Sequence, residues 1–367
     1  MKQVSPVPAN PGELTDWFTQ NLRRKLHQRG ARLADDPASG SSNGDDGGLV
    51  LHPIDLSHLR GYRRKTRALY VAAIAELADT PDHPLKVGYP ILIRTLSNLL
   101  ILVSATADGP QADFVTMEQG FYTVHHNGDD DAFFQELANR LMPLAESHLI
   151  IDNEFHEDLP EELWNGDEHV EQIYRAGVKL EQMNLLPAPF PLEQFITEED
   201  YRHVRRLFGI GKLSYGNLSS RKDATRYWMS ASGVDKSHLR TVGKEVLLVT
   251  GYNPQTKAMV LSIPPGVEPN RVSVDAIEHY MIYRDHPGVG AILHIHAWID
   301  GIPSTHVNYP CGTYELAKEV AELVRQQPDP TRAIVGLRNH GMTITGHSLD
   351  EIFSRIDGKV RRQVPMS

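Results

Sequence analysis

Two histidines and a carboxylate carry the most specific chemistry in this sequence. His294 and His296 stand two residues apart at the end of the apolar run Val289-Gly290-Ala291-Ile292-Leu293. In an extended strand both imidazoles leave the same face. Upstream, Ile277, Met281 and Ile282 supply an apolar helical face, with Ser273 placed to cap it and Pro287-Gly288 to end it. Asp275 and His279, four residues apart, share a side of that helix. Two imidazoles on a strand face near a helix carboxylate make half of a divalent-metal site. The pair alone is weak. With 18 His in 367 residues, chance supplies roughly 0.9 His-x-His pairs, and a strand-end pair hydrogen-bonded to loops is the plainer account.

The elements around this stretch form two parts. In the first, a helix is expected at Leu14–Gln28, then a Gly/Ser/Asp/Asn-rich linker at Asp35–Gly48, then a helix at Asp55–Ala78. Arg60, Arg63, Arg64, Lys65 and Arg67 read as a solvated basic face of that helix. Ile91–Leu96 and Leu99–Ser104 read as one hairpin, Phe114–Met117 and Phe121–His125 as another. A helix at 131–145, a short strand at 148–152, an acidic loop to 167 and a helix at 168–186 follow, before the Pro-rich stretch 187–191. His125-His126 is assigned to the surface. The expected division is an N-terminal arm and linker over 1–50, a small α+β domain over 51–190, and the histidine-bearing domain over 191–367.

That last domain opens on a capped helix at Thr197. The turn Ser214-Tyr215-Gly216-Asn217-Leu218-Ser219 exposes backbone N–H groups suited to an anion, and Ser230-Ala231-Ser232-Gly233 is a second turn of that kind. Strands are expected at 227–230, 246–250, 258–263, 333–337 and 342–345, with capped helices at Thr313 and Ser348. Net charge is −10, which argues against general nucleic-acid affinity. The single cysteine, Cys311, excludes an internal disulfide framework and suits a reducing compartment. No run of apolar residues is long enough to span a membrane. A soluble cytoplasmic protein is expected.

The order Gly-Asn-x-Ser, Ser-Gly, acid–His–Tyr helix, His-x-His and Asn339-His340-Gly341 resembles the class II aldolase/adducin family over residues 195–360. The resemblance implies a three-layer α/β/α domain with a mostly antiparallel central sheet, preceded here by a smaller α+β domain. It implies His294, His296 and His340 as ligands of a divalent ion, zinc foremost, with iron, manganese or cobalt as alternatives. Asp275 falls on the family's acid/base carboxylate. Tyr309, or else His306, stands where a catalytic tyrosine is expected, and Gly216, Asn217, Ser219, Ser232, Gly233 and Ser273 fall on substrate-binding positions. The implied function is lyase chemistry of aldolase type on a small hydroxy-carbonyl or sugar-phosphate-like substrate, in a homo-oligomer, tetrameric by resemblance. Epimerase, dehydratase and non-catalytic adducin-like binding are the alternatives. Val274 stands where the family often has a second hydroxyl, which weakens the phosphate motif.

Overall fold

The structure, a computed structural model, describes residues 12–34, 48–62, 70–116, 120–187, 194–207 and 214–367. The chain divides into two compact units, one of residues 1–147, 190–204 and 366–367, the other of 148–189 and 205–365. The expected linker lies outside the described residues, Gly48 apart, as do Arg63, Arg64, Lys65 and Arg67.

The first unit is α+β. Helix α1 (Glu13–Gln28) buries Phe18, Leu22 and Leu26. Strands β1 (Leu49–Pro53), β2 (Tyr70–Leu77), β3 (Leu99–Thr106), β4 (Gly109–Thr116) and β5 (Phe121–His125) form a sheet in that order. The pairs β1–β2 and β2–β3 are parallel, and β3–β4–β5 are antiparallel. Helices α2 (Pro84–Thr95) and α3 (Asp130–Glu146) complete it, and Asp129 caps α3 through the N–H groups of Asp131 and Ala132.

Three expectations are corrected here. The helix expected at Asp55–Ala78 is strand β2 in its described C-terminal part. Its first six residues are buried, so an Ala-rich central strand shows no alternation and imitates a helix. The strand expected at Ile91–Leu96 is the end of α2, which starts at Pro84 and continues through Pro90. His126 is buried, its Nε2 2.8 Å from Asp130 Oδ1, so only His125 of that pair lies at the surface.

In the second unit, β6 (Asp152–His156), β7 (Asn217–Arg221), β8 (Tyr227–Ser230), β9 (Val246–Asn253), β10 (Ala258–Ser262), β11 (Ala291–Ile295), β12 (Ile334–Leu337) and β13 (Gly341–Gly346) build one sheet. Its order is β12-β13-β11-β7-β8-β9-β10-β6. Every pairing is antiparallel except β10–β6. Helices α6 (Ala276–Asp285) and α7 (Tyr314–Arg325) cover one face, burying Met229, Val249 and Ile292. Helices α4 (Glu168–Gln182) and α8 (Leu349–Ile356) cover the other, burying Trp228, Leu293 and Ile344. Strand alternation thus feeds two cores through one sheet, the three-layer α/β/α arrangement. Residues 148–189 pack in this unit, so the boundary expected at 190 moves to 148. The strand expected at 148–152 is β6, four residues further on, where it finds β10 as partner. Helix α5 (Glu198–Leu207) starts as expected, with Thr197 Oγ1 accepting from the Asp200 N–H at 3.1 Å, but residues 198–204 of it belong to the first unit and not to the histidine-bearing one. No helix among the described residues is long and apolar enough to cross a membrane.

Candidate metal centre

Leu293 and Ile295 point into the core under α4 and α8. Alternation therefore turns His294 and His296 to the α6 face. His340 arrives from the tight turn between β12 and β13. There Asn339 takes φ +57°, a left-handed conformation that asparagine tolerates better than most residues. At Gly341 a Cβ would lie 2.3 Å from the Ile295 carbonyl oxygen, so only glycine lets β13 come this close to β11.

One nitrogen from each of His294, His296 and His340 lies within 4.8 Å of the other two. His296 Nε2 and His340 Nε2 are 3.2 Å apart. His294 Nε2 and His296 Nδ1 are buried without a hydrogen-bond partner. An orphaned buried nitrogen costs roughly 1–3 kcal/mol, a cost that coordination at His294 Nε2 removes. Burial lowers the His294 imidazole to about 4 and His340 to about 3, and takes His296 well below the usual range. Lys236 pushes His294 the same way, His340, His294 and Lys236 push His296, and His294 pushes His340 against the opposing pull of Asp275. All three are neutral at pH 7, the ligating form. The donor set, its burial and its protonation fit a divalent ion.

A second layer of side chains holds the triad. Thr343 Oγ1 donates to Glu278 Oε1 at 2.6 Å and lies 3.2 Å from His294 Nδ1. With its own proton spent on Glu278, Thr343 accepts from His294, which fixes the tautomer and leaves Nε2 with its lone pair. Burial and the charge of Asp275 push the Glu278 carboxyl up to about 8. Tyr215 lays its ring 5.2 Å from that of His296.

Asp275 occupies the N-cap position of α6, where Ser273 was expected, but makes no side-chain cap bond. Asn217 Nδ2 donates to its Oδ2 at 2.7 Å, while Oδ1 is buried without a partner. Burial raises its carboxyl, and His340, Asn217, the Gly312 backbone and Lys236 pull it back. The structure thus brings Asp275 and Asn217 to the triad. Gly216 belongs there by necessity: its φ is +74°, and a Cβ would sit 2.5 Å from the His294 carbonyl oxygen. Ser219 does not face a substrate. Its hydroxyl is fully buried and bonds His279 Nδ1 at 2.7 Å and the Tyr283 hydroxyl at 2.8 Å. Ser232 and Gly233 lie exposed in the turn after β8, and Ser273 is buried with its N–H on the Ser230 carbonyl. Tyr309 is half-buried against the α6/α7 core, two residues before Cys311, and His306 is exposed.

Four residues of this neighbourhood escaped the sequence reading. Glu278 and Thr343 read as ordinary helix and strand positions. Lys236 is 3% exposed. Its Nζ donates to the Ser214 carbonyl at 2.5 Å, and burial lowers its ammonium to about 8 against the pull of Asp235 and Asp275. A lysine in a turn carries no sequence signal of burial. Cys311 Sγ lies 3.3 Å from His340 Nε2.

Residues 201–299 match the family described as the Class II Aldolase and Adducin N-terminal domain. No curated protein matches the chain. Solved structures with similarity include L-fuculose-1-phosphate aldolase from Thermus thermophilus, at 20% identity and TM-score 0.32 over 50% of this chain and 85% of that one. YgbL from Klebsiella pneumoniae, described as a putative aldolase/epimerase/decarboxylase, gives 16% and 0.34 over 52% and 84%. The N-terminal class II aldolase domain of a Thermoplasma acidophilum protein gives 15% and 0.33 over 55% and 93%. The matched stretch 201–299 spans the positions of His294 and His296 but stops before His340.

Proposed function

We propose that the C-terminal unit is a divalent-metal-dependent lyase that breaks or forms a C–C bond next to the carbonyl of a small hydroxy-carbonyl substrate. The observation that carries this is the convergence of three buried, neutral histidines with two orphaned nitrogens beside a carboxylate. His294, His296 and His340 hold the ion. Bound there, a divalent ion supplies positive charge against the negative charge that develops on a substrate carbonyl oxygen.

The remaining work falls to the chain. Asp275 has one oxygen held by Asn217 and one without a partner. It is the group that takes or returns a proton at the reacting carbon or hydroxyl, and its raised carboxyl suits the role. Lys236 adds a buried positive charge that favours an anionic substrate group. Thr343 and Glu278 keep His294 in its ligating tautomer. Tyr309 is the candidate proton donor on the loop side, and the turns at Gly216 and at Ser232-Gly233, with Ser273, are the candidate contacts for the rest of the substrate. The same reading carries a cytoplasmic homo-oligomer, a tetramer by resemblance.

The test is metal content by elemental mass spectrometry on the full chain beside His294→Ala and His340→Ala, followed by a retro-aldol screen of hydroxy-carbonyl compounds with and without phosphate. About one ion per chain, lost in both variants, with cleavage that depends on it, is expected. A folded wild-type protein that takes up no divalent ion would move the reading to adducin-like binding.

A further inference from the structure

Lys236 is a cation buried with little to hold it. It is 3% exposed. Its Nζ donates to the Ser214 carbonyl at 2.5 Å, while Asp235 and Asp275 act on it as charges and not as hydrogen-bond partners. The chain fixes the residue from several sides. Its backbone N–H donates to Ser214 Oγ at 3.1 Å, and Asp235 caps the short turn Lys236–His238 by accepting from the Ser237 N–H. Its carbonyl lies so close to α4 that a Cβ at Gly177 would be 1.7 Å away. An ammonium has three N–H donors, and a single carbonyl acceptor does not offset the cost of taking its charge out of water.

That charge stands beside the histidines. It helps to lower His294 and His296, and it pulls the Asp275 carboxyl down. An anion paired with Lys236 therefore lies next to the reacting carbonyl, not at the far end of the substrate. One ammonium balances one negative charge. A carboxylate carries that charge, whereas a phosphate monoester carries about 1.5–2 at pH 7 and brings three strong acceptor oxygens. Groups that the family resemblance places on a phosphate are engaged elsewhere. The Ser219 hydroxyl serves His279 and Tyr283, and the N–H groups of Ser232 and Ser273 serve the Arg271 and Ser230 carbonyls. Val274 has no hydroxyl to offer.

We infer that Lys236 binds a substrate carboxylate joined directly to the reacting carbonyl carbon, so that the substrates are 4-hydroxy-2-oxo acids rather than sugar phosphates. This inference rests on the lyase reading of the same site. In the cleavage direction the C3–C4 bond breaks. The C4 hydroxyl gives its proton to Asp275 and becomes an aldehyde carbonyl, and the electron pair of the broken bond passes to C3 and the C2 oxygen as the enolate of a 2-oxo acid. Return of the proton from Asp275 to C3 completes the 2-oxo acid, so atoms and charge balance without a co-reactant. Lys236 holds the C1 carboxylate throughout and keeps C2 in place while C4 leaves.

Calorimetric titration of the full-length protein, loaded with zinc, tests this. Oxalate is the probe, because its two carboxylates copy the shape and charge of a 2-oxo acid enolate; dihydroxyacetone phosphate is the contrast. Wild type is expected to bind oxalate at least about tenfold more tightly than dihydroxyacetone phosphate. Lys236→Met keeps the bulk of the stem and removes the charge. It is expected to bind oxalate roughly 10–100-fold more weakly while still holding one zinc per chain. The comparison of the two probes on wild type decides the matter even where the variant fails to fold. Unchanged oxalate affinity in the folded variant, or a wild-type preference for dihydroxyacetone phosphate, overturns the inference and leaves the three-histidine centre standing. A wild-type protein that takes up no zinc overturns the metal reading, and this inference with it.

Discussion

Thr343 stands one hydrogen bond beyond His294, a proposed metal ligand. Its hydroxyl serves Glu278 Oε1 and His294 Nδ1 together. Thr343→Val keeps the shape and removes both bonds. The dissociation constant for zinc, measured by competition with a chelator, is expected to rise roughly 10–100-fold, with the fold retained. Glu278 gives a separate, pH-dependent signature in the metal-free protein. Its carboxyl moves from an unfolded value near 4.5 up to about 8. The folded state therefore holds a proton that the unfolded chain has released between those values. Stability from this group is complete below about 4.5 and is lost as pH rises through about 8. Glu278→Gln cannot ionise. The wild-type minus variant difference in unfolding free energy should fall with pH at up to about 1.4 kcal/mol per unit across that window. A flat difference would mean that Glu278 ionises as freely folded as unfolded. At this scale His294, His296 and Asp275 were legible as residue types at fixed spacing, and His340 only through the family resemblance. Lys236, Glu278, Thr343 and Cys311 were not, because what singles them out is burial and a partner far away in sequence.

Among the elements, the approach of β7 to β11 decides whether the histidines converge. Gly216 stands at that approach with a left-handed φ and no room for a Cβ. Gly216→Ala is expected to cost ~2 kcal/mol or more from backbone strain and the clash with the His294 carbonyl. In a unit of this size that lowers the melting temperature by roughly 4–8 °C. Metal affinity should fall with it, since the carbonyl that must move belongs to a ligand. A variant as stable as wild type would show that the Ser214–Asn217 turn yields easily. The strands of this unit were readable as short apolar runs set between turn residues, and its helices by caps such as Thr313 and Ser348 that bond as their type predicts. The failures lie where those signals vanish. Strand β2 is buried on both sides at its start, and α2 runs through Pro90, a residue that normally ends a helix.

For the whole molecule the question is where the histidine-bearing unit begins. The Pro-rich stretch near 190 is a composition signal, and composition does not report which side a segment packs on. Residues 148–189 bring β6, the parallel edge partner of β10, and α4, which covers one face of the sheet. At Gly177 a Cβ would lie 1.7 Å from the Lys236 carbonyl oxygen, so α4 presses directly on the segment that holds the buried lysine. Leu159, Leu163, Ile173, Leu180 and Leu185 are all core residues there. Burial worth about 1.5–3 kcal/mol for each rivals the about 5–15 kcal/mol that keeps a domain folded. A chain starting at His148 should therefore unfold cooperatively and retain the ion, while one starting at 191 should show no cooperative thermal transition and no stoichiometric metal. If the shorter chain melts cooperatively with one ion bound, α4 and β6 are accessories to the sheet, and the histidine centre needs only the strands and the α6/α7 layer to form.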